Sequence, residues 1–178
     1  MNIRQAAALL PLLGCSEPAA PVDASFDAAL YEASIAAHHT INGYQPFGAD
    51  AGVEMRLGFQ GFRYTRVVLV ASRGVPEHTP GRARLDIDGF DRAEQRFAAL
   101  AFREFSPGVF VSTPLMVFAN DVNLARAVGR RATLTVDLED RCCRATATFE
   151  GPVRFDPDCV EDAQFRCQPA ARPDGGGL

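Results

Sequence analysis

From Val53 to Phe149 the apolar residues return at every second position in short runs, and that period constrains the fold more than any other feature of the chain. A strand turns successive side chains to opposite faces, so a period of two marks strands with one face buried. Val53, Met55 and Leu57 alternate with Glu54 and Arg56. The run Arg63–Ala71 is β-branched and apolar on both phases at its end, as in a central strand. Gly58-Phe59-Gln60-Gly61 supplies a turn between these two. Ala83, Leu85 and Ile87 share one phase of Arg82–Asp88. Val109–Phe118 follows the turn signal Ser106-Pro107-Gly108, and Ala132, Leu134, Val136 and Leu138 oppose Thr133, Thr135 and Asp137. Arg144–Phe149 alternates once more. Residues 96–103 fit either period and are read as a strand, because their neighbours are strands. Asp121–Val128 is read as one or two turns of helix, capped by Asn120 or Asp121 and stopped at Gly129. About eight strands and one short helix predict an all-β antiparallel sandwich.

The 178 residues suffice for one domain with a real core, and 47% hydrophobic against 22% charged residues is a globular balance rather than a disordered one. With no Trp and 13 Phe, the core is expected to rest on Phe, Val, Leu and Ala. All 18 basic residues are Arg, yet the formal net charge is -4. That acidity argues against a nucleic-acid partner, which needs a basic face.

Residues 1–14 place one positive charge, Arg4, ahead of a short apolar run, the layout of a signal peptide and too short to span a bilayer. Leu12-Leu13-Gly14-Cys15 resembles the lipobox of bacterial lipoproteins. The resemblance implies that the leader is removed and that Cys15 carries the lipid that holds the chain to a membrane. Ser16 rather than Asp after the cysteine implies outer-membrane delivery over inner-membrane retention, hence a cell-envelope location. Residues 15–28, rich in Pro, Ala and acids, read as anchor and flexible tether; 29–168 as the sandwich domain; and the Pro- and Gly-rich 169–178 as a disordered tail.

Gly58-Phe59-Gln60-Gly61-Phe62 before an apolar strand resembles small lipoproteins of myxobacteria and their relatives. Leu124–Arg130 followed by Thr133–Asp137 fits the same impression. The resemblance covers roughly residues 53–139 and implies an immunoglobulin-like form of the sandwich, with no assigned activity.

An exported chain with an even number of remaining cysteines is expected to pair them. Cys142, Cys143, Cys159 and Cys167 allow three pairings. The one joining the neighbours Cys142 and Cys143 ranks last, because it forces a strained ring. In the other two, the Cys142-Cys143 step is bridged to Cys159 and Cys167, one bond on each side of a strand end, clamping residues 156–168 to the sandwich. A four-thiolate zinc site is the rival, disfavoured because zinc ligands usually come in pairs about two to four residues apart.

No nucleophile motif, phosphate-cradling loop or dinucleotide fingerprint is present, so neither a catalytic set nor a cofactor is expected. His38-His39 is read as an exposed turn pair and His78 as a loop residue. Asp86, Asp88 and Asp91 collect three carboxylates around Gly89, a candidate calcium turn that lacks the order of an EF-hand. The best recognition candidates are Phe59, Gln60 and Arg63, which combine aromatic area, an amide and a guanidinium near a turn. The expectation is therefore a lipid-anchored, non-enzymatic binding or structural module with a protein or envelope partner. An envelope hydrolase whose residues meet only in space, and a calcium-stabilised adhesion domain, are the alternatives.

Overall fold

The computed structural model describes residues 32–39, 43–72, 75, 77–139 and 144–169. The leader, Cys15, the tether, Cys142, Cys143 and residues 170–178 lie outside the described residues. The elements are β1 (Glu32–His39), β2 (Gly43–Gln45), β3 (Val53–Gly58), β4 (Arg63–Ser72), β5 (His78–Ile87), β6 (Ala93–Ser106), β7 (Val109–Ser112), β8 (Leu115–Phe118), α1 (Leu124–Ala127), β9 (Arg131–Glu139), β10 (Arg144–Glu161) and β11 (Cys167–Pro169).

The chain is all-β as its alternation predicts, and the strands close on themselves. Following the hydrogen-bonded neighbours, β3, β4, β7, β6, β5, β9 and β10 return to β3 through seven strands. Every step of this ring is antiparallel except β10–β3, which is parallel. A sandwich of two separate sheets leaves open edges, and closure removes them. Two long strands make the closure by serving both layers. β6 pairs with β5 through its first part and with β7 from Phe102 onward. β10 pairs with β9 from Arg144 to Pro152 and with β3 from Val153 to Glu161, with its register broken between Phe155 and Val160. Outside the ring, β1 and β2 extend one edge of β4, β8 runs along the other, and β11 adds to β10.

The inward phase of each strand fills the ring. Met55, Val67, Leu69, Leu85, Leu100, Leu134, Val136, Leu138 and Val153 are all buried in one cluster. Val68 points the other way. It is buried on the outer face of β4 in a smaller cluster with Ala36 and Val111, beside Tyr44 and Val70. This explains why Arg63–Ala71 is apolar on both phases: one phase faces the ring and the other packs with Ala36 of the neighbouring β1 and Val111 of the neighbouring β7. At Gly81 a Cβ would stand 2.3 Å from the Asp137 carbonyl oxygen and 2.6 Å from the Phe97 ring, so only glycine lets the three strands meet there.

Several local expectations change. Among the described residues there are eleven strands rather than about eight, because β1, β2 and β11 were not legible as strands and Val109–Phe118 divides into β7 and β8. His38 and His39 sit on β1, paired with Tyr44 and Gly43, and not in a turn. His78 opens β5 rather than lying in a loop. Residues 96–103 are strand, inside β6. The helix shrinks to four residues. Its cap is Asn123, whose side chain accepts from the Arg126 N–H at 3.2 Å, while Gly129 turns the chain with φ +76°. Asn120 instead accepts from the Arg63 N–H at 3.0 Å.

The cysteine pairing is also corrected. Cys159 and Cys167 are bonded to each other across the β10–β11 hairpin, with Cα atoms 5.1 Å apart. Neither is left to bridge to Cys142 or Cys143, so the expected clamp between the two pairs does not form. The reason is the length of β10. Cys159 lies near the far end of that strand from Arg144, where its neighbour is Cys167 on β11.

Candidate functional site: an aromatic groove at one end of the ring

The turn between β3 and β4 is tightly determined. The Gly61 N–H donates to the Gly58 carbonyl at 2.8 Å, the Gly58 N–H to Phe62 at 2.9 Å, and Gly61 has φ +80°. The Phe59 N–H reaches across to the Glu161 carbonyl at 2.9 Å, which ties the turn to the end of β10. Such a short loop leaves its large side chains outside: Phe59 is 61% exposed and Phe62 45%.

Beside this turn stands a second one, residues 162–166, inside the disulfide-closed hairpin. Asp162 organises it. Its carboxylate accepts from the N–H groups of Arg166 and Gln164, both at 2.9 Å, and from the side chains of Arg166 and Gln168, both at 3.0 Å. The Arg166 N–H, with the other donors, holds the Asp162 carboxyl down to about 2. The turn places Phe165 at φ +58°, a left-handed conformation unusual for a bulky residue. Its ring lies 4.7 Å from the Arg66 guanidinium and is 41% exposed.

The floor between the two turns comes from β8. Leu115 and Val117 face the core, so Met116 and Phe118 face out. Phe118 meets Phe62 edge-on at 5.9 Å and Tyr64 at 5.8 Å between ring centroids. The result is a groove of about 210 Å³ whose lining is almost wholly apolar, including Phe59, Phe62, Met116, Phe118 and Phe165.

Under one wall of the groove lies a buried charge cluster. Glu161 is 3% exposed and accepts from the Tyr64 hydroxyl at 2.6 Å and from Arg66 at 3.4 Å, with Arg56 at 3.7 Å. Burial and the bond to Glu161 push the Tyr64 hydroxyl well above its ordinary pKa, so it stays a donor. Half-buried His38 belongs to the same neighbourhood. Burial, with Arg66 and His39, lowers its pKa against the opposing pull of Glu161. The buried Nδ1 of His38 and Nη1 of Arg66 have no hydrogen-bond partner among the described residues. The ion pairs fasten the hairpin to β3 and β4, and a carboxylate held by two guanidiniums and a phenol is poorly placed to act as a base.

The sequence candidates divide here. Phe59 and Gln60 line the groove. Arg63 does not; its guanidinium donates to the Asn120 carbonyl and braces the start of β4. Missed altogether were Phe118, Met116 and Phe165, and Glu161 was legible only as one carboxylate of the acidic stretch Asp156–Asp162. The outward phase of Leu115–Phe118 signals the first two, and the cysteines flanking residues 160–166 signal a closed loop. Among the described residues Asp86, Asp88 and Asp91 do not come within shared ligand distance; Asp86 pairs with Arg92 at 2.6 Å, and Asp91 lines a separate groove with Asp121. The group that does come within shared ligand distance among the described residues is Asp156, Cys159 and Cys167, and there the two sulfurs are bonded to each other. A further open depression, about 410 Å³, is lined by Gly81, Arg82, Arg96, Asp137 and Glu139, and in it Arg82 lies 3.4 Å from Asp137, which also takes Arg84 at 2.7 Å.

Compared with models of known families, with curated proteins and with solved structures, the chain has no significant match in any of the three.

Proposed function

We propose that this chain is a lipid-anchored cell-envelope protein whose ring of strands is a rigid, non-enzymatic scaffold for binding a partner at the aromatic groove. The observation that carries the reading is the exposure of Phe59, Phe62, Phe118 and Phe165 around one concavity. Contiguous exposed apolar surface of this kind is costly in water and marks interaction sites. The surrounding bonds hold the rings in place, so little ordering is lost on binding. The lipobox-like Leu12–Cys15 supports the anchor and the envelope location, and the Ser16 after it favours the outer membrane. The sequence resemblance suggests an immunoglobulin-like sandwich and the closed seven-strand ring departs from it, but recognition at the loops of one end suits either form.

Native-size analysis of the full chain, extracted from its own membrane in mild detergent, tests the proposal. The wild type should migrate in a complex larger than the monomer, and Phe59→Ala should return it to monomer size without unfolding it. A monomeric wild type that turns over a substrate, with activity lost on changing His38, would replace the binding reading with the enzyme one.

A further inference from the structure

The depression beside Arg82 lies over β5, β6 and β9, none of which lines the aromatic groove. A row of cross-strand neighbours crosses it: Thr146 on β10, Asp137 on β9, Arg82 on β5 and Arg96 on β6. These residues face outward, because Ala83, Val136, Leu138 and Ala147 on the alternate phase are buried. The row is paired at one end and not at the other. Asp137 accepts from the Thr146 hydroxyl at 2.9 Å, from Arg84 at 2.7 Å and from Arg82 at 3.4 Å. Arg82 also lies 3.6 Å from Glu94, and Glu139 is taken by Arg144. Exposed Arg96 has no hydrogen-bond or ion-pair partner among the described residues. It stands directly opposite Arg82, and like charges directly opposite destabilise a strand pair. Around the depression Arg82, Arg84, Arg96 and Arg144 thus face only Glu94, Asp137 and Glu139, which leaves one positive charge uncompensated in a chain of formal net charge -4.

Independently of the groove, we infer that this depression is a second binding site, for a small hydroxylated carboxylate the size of a sugar acid, held by Arg96 with Arg82. The charges and donors of the lining select that class. A guanidinium meets a carboxylate through two parallel N–H···O bonds, and an anion placed between Arg96 and Arg82 removes their repulsion. A monoanion matches the single uncompensated charge. A phosphate group, at about -1.5 to -2, would set its second charge against the three carboxylates. Arg144 occupies one oxygen of Glu139, whose other oxygen has no partner among the described residues and can accept from hydroxyls at the far end of the ligand. Pro80 and Phe97 in the same lining offer apolar area to its carbon skeleton. The volume, about 410 Å³, falls within the range of about 300–1,000 Å³ that small-molecule sites occupy.

The test titrates the full chain with D-glucuronate, with neutral D-glucose and with a glucose phosphate, and follows backbone chemical shifts. Glucuronate should saturate the shifts of β5, β6 and β9 and bind about tenfold more tightly than either of the others, the weight of one charge-assisted pair. Arg96→Gln should abolish that preference with the melting temperature unchanged, because the side chain is exposed and bonds to nothing in the fold. Arg103→Gln, which changes an exposed guanidinium of β6 outside the depression, should leave the preference intact. Glucose phosphate binding as tightly as glucuronate would overturn the carboxylate assignment. Saturation by none of the three, or a glucuronate preference that survives Arg96→Gln, would overturn the site itself.

Discussion

Phe165 lies against Arg66 with 4.7 Å between ring centroid and guanidinium carbon, although the two residues belong to the last turn and an early strand. That contact joins the two parts of the candidate site. Arg66 is fixed on the outer face of β4 and also pairs with Glu161, so the hairpin ring and the hairpin stem are both held by one guanidinium. A cation over an aromatic face contributes about 0.5–2 kcal/mol, according to how dry it is. Arg66→Lys should keep the charge but weaken the planar stacking. Its expected signature is faster hydrogen exchange in residues 162–166 with little change in the β9 core.

Glu161 gives a sharper stability prediction. Removing one member of a buried ion pair strands its partners and costs about 3–5 kcal/mol. Glu161→Leu should therefore destabilise the domain by that order in urea unfolding. Tyr64→Phe, which removes only one neutral donor, should cost about 1 kcal/mol. Equal and small effects would mean that the cluster does not fasten the hairpin.

Two substitutions separate surface from core. Leu134 is fully buried inside the ring, and Leu134→Ala should cost about 2–5 kcal/mol. Phe59 is mostly exposed, and Phe59→Ala should leave stability nearly unchanged while weakening partner binding. Thermal unfolding of the two variants side by side is sufficient; a similar drop in both would make Phe59 a packing residue.

The period-two alternation made most of the ring legible. Strands β3, β5, β9 and the first part of β10 show it openly, because one face meets the core and the other is more exposed, while β4 was legible as a central strand because it is apolar on both phases. What it could not show is closure. Whether β10 stops at residue 149 or continues to Glu161 depends on β3 lying beside it, and that parallel pairing leaves no mark on local spacing. The error over the cysteines follows from the same omission, since a strand ending at Phe149 would have let the tail fold back toward Cys142 and Cys143. The groove was half legible. The Phe59–Gln60 turn stood out by composition, but Phe118 and Phe165 join it only through tertiary structure.

Acid should act on two groups in different windows. His38 has a folded pKa below its ordinary 6.5. The unfolded chain therefore binds the proton more readily, and stability present above that value is lost as pH falls below it, until the folded value is also passed. His38→Gln should flatten the slope. Asp162 has its pKa lowered from 3.8 to about 2, so its contribution is intact above 3.8 and is lost as pH falls toward 2. Asp162→Asn should remove that lower transition. Denaturant midpoints measured from pH 8 to pH 2 would show both.

The central proposal is that the groove is an occupied binding surface in the cell. The most direct measurement replaces Phe59 with a photo-crosslinking phenylalanine in the full chain and irradiates cells. The account predicts a discrete adduct with a protein that disappears with Phe165→Ala, and no adduct when the crosslinker replaces Phe105, an exposed ring outside the groove. No adduct from position 59, or one that persists in Phe165→Ala and also forms from position 105, would contradict it.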